Sequence, residues 1–236
     1  MESCAITHRG LKKENNQDCF FVKEFEDGSV LLAVADGLGG EVGGKQAADL
    51  AKESLADFNP KRPVVEDHIV ELMQTANKRI MDAVQQEPDL EGMGTTMTAA
   101  FVKNGTVSWA HVGDCRLYVF SDNELHQITV DDTMAGFLLS EGEITKEEAR
   151  VHPGGKLVFQ CLGGYGEFEA DTGSFQVRQG DLLLLSTDGL HDEVPEEEIV
   201  SILRSESDLK EKLDAFVSAA LATGGKDNIA VVVTEV

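Results

Sequence analysis

The sequence predicts an α+β fold, a four-layer α-β-β-α sandwich of two mainly antiparallel sheets flanked by helix pairs. Three observations carry the prediction. Strand-like segments follow one another through short turns, the connection that antiparallel neighbours use. Helical periodicity comes in pairs inserted between groups of strands, not alternating with single strands as in a parallel doubly wound sheet. Short apolar runs bounded by Gly, such as Leu31–Ala35 and Leu182–Ser186, read as buried strands.

In chain order, Asp18–Phe25 and Val30–Ala35 flank Glu26-Asp27-Gly28-Ser29, a hairpin with turn chemistry at its centre. A glycine-rich loop over 37–44 leads into a helix from about Lys45 to Phe58, where Ala47, Leu50, Ala51 and Leu55 recur at helical spacing. Pro60 and Pro63 close it and open a second helix over roughly 64–86, and Pro88–Gly94 is a loop. Four strands follow at Thr95–Val102, Val107–Val112, Arg116–Phe120 and Glu124–Ile128, separated by Asn-Gly, Gly-Asp and Asp-Asn turns. Polar, partly helical sequence occupies 131–153, with a capping box at Thr145-Lys146-Glu147-Glu148 and a glycine-rich exit that suits an insert lying over a surface. Strands are expected at Leu157–Leu162, Phe168–Phe175 and Asp181–Ser186, helices at Pro195–Arg204 and Asp208–Ala222, and a last strand at Ile229–Glu235.

The 236 residues show no internal repeat and no low-complexity linker, so one domain over 1–236 is expected. No run approaches the roughly 18 apolar residues of a membrane span, and Met1-Glu2-Ser3-Cys4 does not begin a secretory signal. The cysteines Cys4, Cys19, Cys115 and Cys161 are far apart without a Cys-x-x-Cys, as in a reducing, cytoplasmic setting. A formal charge of −23, spread along the chain, repels nucleic acid and anionic membranes. Two bound divalent cations would offset only a minority of it; the rest is a solvated surface.

The chemistry concentrates in carboxylates at strand ends. Two apolar runs drive into Asp36-Gly37-Leu38 and Asp188-Gly189-Leu190, and Asp227-Asn228 opens a third. An isolated Asp-Gly is ordinarily only a turn. The joint pattern says more, because an ionised Asp beside a buried strand is costly unless something compensates it. Asp36 and Asp188 end strands while Asp18 and Asp227 begin them, so antiparallel pairing can bring all four to one rim. Asp114, in a tight turn, can join them. Oxygen-only donors suit Mg²⁺ or Mn²⁺, and two such ions roughly 4 Å apart activate water and clamp a phosphoryl group. Other chemistries fare worse. His111, His126, His152 and His191 occur singly, which disfavours zinc and suits packing or surface roles. Gly-Leu-Gly-Gly lacks the Gly-Lys-Ser/Thr of a phosphate loop, and no serine or cysteine nucleophile motif is present.

At these residues the chain resembles the metal-dependent serine/threonine protein phosphatases of type 2C, in their compact bacterial form. The likeness runs in order through Lys12–Asp18, Val34–Gly40, Gly94-Thr95-Thr96, Val112–Arg116, Ser186–Leu190 and Lys226–Ile229. It implies a β-sandwich flanked by helix pairs and hydrolysis of phosphoserine and phosphothreonine in proteins. It also implies two Mn²⁺ or Mg²⁺ ions, with a third position beside them. Carried over, Asp36 bridges both ions, the Gly37 carbonyl binds one, and Asp188 and Asp227 complete the second. Asp18 orients water from outside the ligand shell; Asp114 and Asp192, sharing Asp188, match the third position. The segment over 131–153 matches a flap beside the active site that influences substrate choice.

The chain departs from the pattern in places. Lys13 stands where the family usually has an Arg that grips phosphate through two parallel hydrogen bonds, and Lys offers a point charge instead. Gln17 replaces a frequent Glu, Glu41 a frequent bacterial His, and Leu38 stands where some relatives carry a His that could protonate the leaving group. Val130-Asp131-Asp132-Thr133 opens the flap atypically. The partners implied are phosphoproteins, with an opposing serine/threonine kinase, and the chain is expected to act as a monomer. The competing reading is a catalytically weak or inactive regulatory module that binds a phosphoprotein without turning it over.

Overall fold

The computed structural model describes residues 1–164 and 168–236, and for residues 41 and 42 the backbone alone. The strands are β1 (Glu2–His8), β2 (Cys19–Glu24), β3 (Val30–Leu38), β4 (Gly94–Lys103), β5 (Thr106–Val112), β6 (Arg116–Ser121), β7 (Glu124–Gln127), β8 (Asp171–Gln176), β9 (Leu182–Ser186) and β10 (Ile229–Glu235). They form two five-stranded sheets, ordered β1-β10-β9-β6-β7 and β2-β3-β4-β5-β8. Every ladder is antiparallel. Helices α1 (Gly40–Ser54) and α2 (Val65–Gln86) cover the second sheet. A flap carries α3 (Met134–Ser140) and α4 (Lys146–Val151), a single turn α5 (Asp188–His191) follows β9, and α6 (Glu196–Arg204) with α7 (Leu209–Ala222) covers the first sheet. The predicted α-β-β-α layering is therefore what the chain adopts.

The period-two alternation of the strands explains why the apolar runs are unbroken. On β3, Leu31, Ala33 and Ala35 pack toward α1 and α2, whereas Val30, Leu32 and Val34 pack against the other sheet. On β9, Leu182 and Leu184 face the outer helices while Leu183 and Leu185 join the layer between the sheets. On β10, Ala230 and Val232 do the same. Each central strand is thus buried on both faces, and each fully buried Leu or Val stabilises by roughly 2 kcal/mol. The alternation also aims Asp36. Two residues beyond Val34, it continues the series that faces the opposite sheet, at the point where that layer opens to one end of the sandwich.

Three elements differ from expectation. β1 was not anticipated: it is an edge strand on β10 with mostly half-exposed residues, so its sequence lacks a strong apolar period. No strand forms over 157–162, which makes only the bridges Thr133↔Val158 and Thr95↔Leu162 and leaves Leu157 and Phe159 exposed. α1 starts at Gly40, about one turn early, because Gly39 in the left-handed conformation (φ 101°) turns the chain directly out of β3. The flap's capping box is present as predicted, with Thr145 accepting from the Glu148 N–H and Glu148 accepting from Thr145.

Candidate metal centre

Asp18 immediately precedes β2, whose first residue Cys19 pairs with Ala35, so the register sets Asp18 beside Asp36. Asp188 opens α5 two residues after the end of β9, and Asp227 lies two residues before β10. Those two strands are neighbours, and Thr187 pins their ends: its N–H donates to the Ala230 carbonyl at 3.1 Å, and its Oγ1 accepts from the Ala230 N–H at 2.8 Å. The Thr187 hydroxyl then donates to Asp18 Oδ2 at 2.6 Å, crossing from the first sheet to the second. Asp114 sits in the turn between β5 and β6, where the chain passes from one sheet to the other. Each sheet therefore contributes two carboxylates, and the crossing turn a fifth.

Both Asp-Gly pairs need their glycine for close packing. A Cβ on Gly37 would lie 2.1 Å from the Gly44 carbonyl oxygen of α1, and one on Gly189 would lie 1.8 Å from the Asn228 carbonyl oxygen. The second contact keeps Asp188 against the Asp227-Asn228 segment. Asn228 braces that segment in turn, accepting from the Gln17 N–H at 2.8 Å and donating to the carbonyls of Arg9 and Asn15 at 2.8 and 2.9 Å.

Electrostatically the cluster is strained toward protonation. Burial pushes the Asp18 carboxyl up to about 8, with Asp188 and Asp227 adding to it against the Thr187 hydrogen bond. Burial and then Asp227 and Asp192 bring Asp188 up to about 7. Asp36 is held well above the usual carboxylate range by burial and by Asp18, Asp188, Asp114 and Asp227; Asp114 is raised by burial, Asp188 and Asp131. Asp192 is raised by burial, against the charges of Arg116 and Lys156. Two ammonium groups lean in from the rim. Lys13 Nζ lies 2.7 Å from Asp227 Oδ1, and Lys156 Nζ lies 3.7 Å from Asp188 Oδ2 and 3.5 Å from Asp192 Oδ2. Burial works against both charges, yet Asp227 in the first case and Asp188 with Asp192 in the second leave them raised.

The donor set fits hard divalent cations. It is all oxygen, and Asp188 Oδ1 is buried without a hydrogen-bond partner among the described residues, an arrangement costly for a carboxylate unless a cation meets it. Among the described residues no group of three or more His, Cys, Asp or Glu side chains stands arranged to hold a metal ion. Some of the carboxylate oxygens are engaged by the chain itself: Asp227 Oδ1 accepts from Lys13 and from the Asn228 N–H, and Asp188 Oδ2 faces Lys156. Mg²⁺ and Mn²⁺ keep several waters in such sites, so few direct protein oxygens are required.

The predicted residues Lys13, Asp18, Asp36, Asp114, Asp188, Asp192 and Asp227 all meet in this one region, with Gly37 adjoining Asp36 on β3. Gln17 Nε2 donates to the Gly40 carbonyl, and the Glu41 side chain lies outside the described residues. The histidines behave as packing or surface groups: His111 bonds Thr98 and the Val130 carbonyl, His191 bonds Ser186, and His126 is exposed. Sequence reasoning missed Thr187, Asn228, Lys156 and Arg116 as contributors. Thr187 and Asn228 had a signal, since each adjoins a predicted ligand. Arg116 and Lys156 act through the flap. Arg116 holds Asp131 with Nε and Nη2 at 2.6–3.1 Å, and Asp132 Oδ2 accepts from the Gly113 N–H at 2.7 Å, rooting the flap beside Asp114.

Comparison with known proteins agrees with this geometry. A family model described as protein phosphatase 2C matches residues 7–232. A serine/threonine phosphatase, stp, of Listeria welshimeri serovar 6b is 38% identical over 235 residues, covering 97% of this chain and 93% of its own. Among solved structures, the serine/threonine phosphatase PstP/Ppp of Mycobacterium tuberculosis superposes with a TM-score of 0.90 at 37% identity, over 100% of this chain and 98% of its own. A structure of the PstP catalytic domain in complex with two manganese ions gives 0.87 at 36% identity, over 99% and 97%. With the model spanning nearly the whole sequence and the carboxylates gathered at the rim of an α-β-β-α sandwich, the chain belongs to the protein phosphatase 2C family.

Proposed function

We propose that this protein hydrolyses phosphoserine and phosphothreonine in proteins with the help of two Mn²⁺ or Mg²⁺ ions. Bound divalent ions supply an acidified water as nucleophile and neutralise charge on the phosphoryl oxygens. Asp36, which faces carboxylates from both sheets, would serve both ions, with the Gly37 carbonyl beside it. Asp188, whose Oδ1 is buried without a partner, and Asp227 would hold the second ion. Asp18, fixed by Thr187 on one side and adjoining Asp36 on the other, would orient the attacking water. Lys13, at the rim with its side chain 44% exposed, meets the substrate phosphate. Asp114 and Asp192 border a third cation position. The relatives' activity, and the manganese in the PstP catalytic domain, support the reading.

The observation that carries it is the unpartnered Asp188 Oδ1 inside a cluster of mutually repelling carboxylates. The test is phosphate release from a phosphothreonine peptide after EDTA treatment and Mn²⁺ titration. Activity should appear only with metal and fall at least ~100-fold in Asp188→Asn. No metal-dependent release by the wild type, or equal release by the variant, would sink the proposal; stable phosphopeptide binding without release would favour the regulatory module instead.

The finer expectations follow the same reading. Four cysteines without a disulfide among the described residues support a reducing, cytoplasmic setting. No helix among the described residues is long and apolar enough to cross a membrane. The family match over 7–232 supports reading 1–236 as a single catalytic domain; that it acts as a monomer against a serine/threonine kinase is part of the same proposal.

A further inference from the structure

The charges at the centre show an unexpected balance. Six carboxylates (Asp18, Asp36, Asp114, Asp188, Asp192 and Asp227) meet two ammonium groups, Lys13 and Lys156. Fully ionised, they leave four negative charges, which two divalent ions neutralise. A third divalent ion would overshoot. The two oxygens of Asp188 divide along the same line. Oδ1 is buried and unpartnered, whereas Oδ2 faces Lys156 together with Asp192 Oδ2. Lys156 ends the 3₁₀ turn Pro153–Lys156 at the exit of the flap, and with Asp192 it lines a cavity of about 640 Å³ between the flap and α6.

We propose that Lys156 is a tethered cation for the Asp188–Asp192 end of the centre, standing where a third divalent ion would otherwise bind. The inference rests on the two-ion reading above. Lys156 does not touch the two principal ions; it positions Asp188 by drawing Oδ2 outward, which leaves Oδ1 for the second ion. It also ties the flap to the centre, so a third ion must displace both an ammonium group and the flap exit that carries it. A unit positive charge within 4 Å of the same oxygens opposes a divalent competitor strongly at a partly buried site.

The test counts bound manganese by equilibrium dialysis and native mass spectrometry in the wild type, Lys156→Met, Lys156→Arg and Lys156→Met/Asp192→Asn. The Lys156 side chain is 68% exposed, so neither single change removes core packing. The wild type and Lys156→Arg should bind two ions. Lys156→Met should take a third, with affinity at least about tenfold above any third-ion binding by the wild type, and Asp192→Asn should abolish that gain. Two ions in both the wild type and Lys156→Met would overturn the role of Lys156 alone, as would a wild type that takes three as readily as the variant. A wild type that binds no manganese would overturn the two-ion reading, and this inference with it.

Discussion

The carboxylate Asp18 offers the sharpest test of how the centre stores repulsion. Its folded-state value, raised to about 8 by burial, Asp188 and Asp227, stands far above the ~3.9 of an unfolded Asp. Between those values the folded chain keeps a proton that the unfolded chain has lost, so stability in the absence of metal falls as pH rises toward 8. Asn at this position does not titrate, yet its amide oxygen still accepts from Thr187. Integrated from pH 6 to 8, the wild type should lose about 2 kcal/mol relative to Asp18→Asn. Referring one chain to the other cancels the contributions of the buried histidines His111 and His191, whose shifts arise from burial and from charges other than Asp18. The assay is urea denaturation in EDTA at half-unit pH intervals, comparing extrapolated stabilities. Saturating Mn²⁺ should erase the pH trend, because bound cations hold the carboxylates ionised. A wild-type-to-variant difference that stays flat across the window, or that grows in the wild type's favour, would refute the argument.

Other perturbations probe separate parts of the molecule. Lys13→Arg should lower KM for a phosphopeptide about three- to tenfold with kcat little changed, since a guanidinium can hold phosphate through two parallel bonds; steady-state kinetics decides it. Arg116→Ala should destabilise the fold by about 3–5 kcal/mol in urea titration, because it leaves Asp131, whose side chain is only 11% exposed, with the neutral Gln127 amide but no countercharge. Gly189→Ala places a methyl carbon 1.8 Å from the Asn228 carbonyl oxygen and should cost more than ~3 kcal/mol along with metal affinity. Gly155→Ala, whose nearest contacts are at 3.8 Å, should change thermal stability by less than ~0.5 kcal/mol.

What could be read from the sequence was what local pattern encodes. Asp36 and Asp188 announced themselves because each ends a run buried on both faces, and the period of two that buries Val34 and Leu185 also fixes the direction of the residues beyond them. Asp114 was legible because a tight turn leaves its carboxylate little choice of position. The edge strand β1 was not, since its neighbour β10 supplies the register that its own half-exposed residues do not specify. The segment over 157–162 looked like a strand by composition, but it has no continuous partner and spends Val158 and Leu162 on single bridges. Lys156 carried no signal at all. Nothing nearby in sequence distinguishes it from Lys146, which pairs instead with Glu196 on α6; only the path of the flap decides which lysine reaches the carboxylates.

The division of ligands between the two sheets reaches beyond chemistry. Asp18 and Asp36 travel with β2 and β3, Asp188 and Asp227 with β9 and β10, and the layer between them is mainly apolar packing, tied at this end by the Thr187–Asp18 hydrogen bond. Ions held from both sides act as a cross-brace that fixes how the sheets slide and twist against each other. By mass action, an ion at a hundred times its dissociation constant adds about 2.7 kcal/mol to the folded state. The reverse also holds: trimming Leu185 or Val232, well inside the sandwich, loosens the brace at its far end and weakens metal affinity. Metal supply thus becomes a mechanical setting of the scaffold as well as a chemical one.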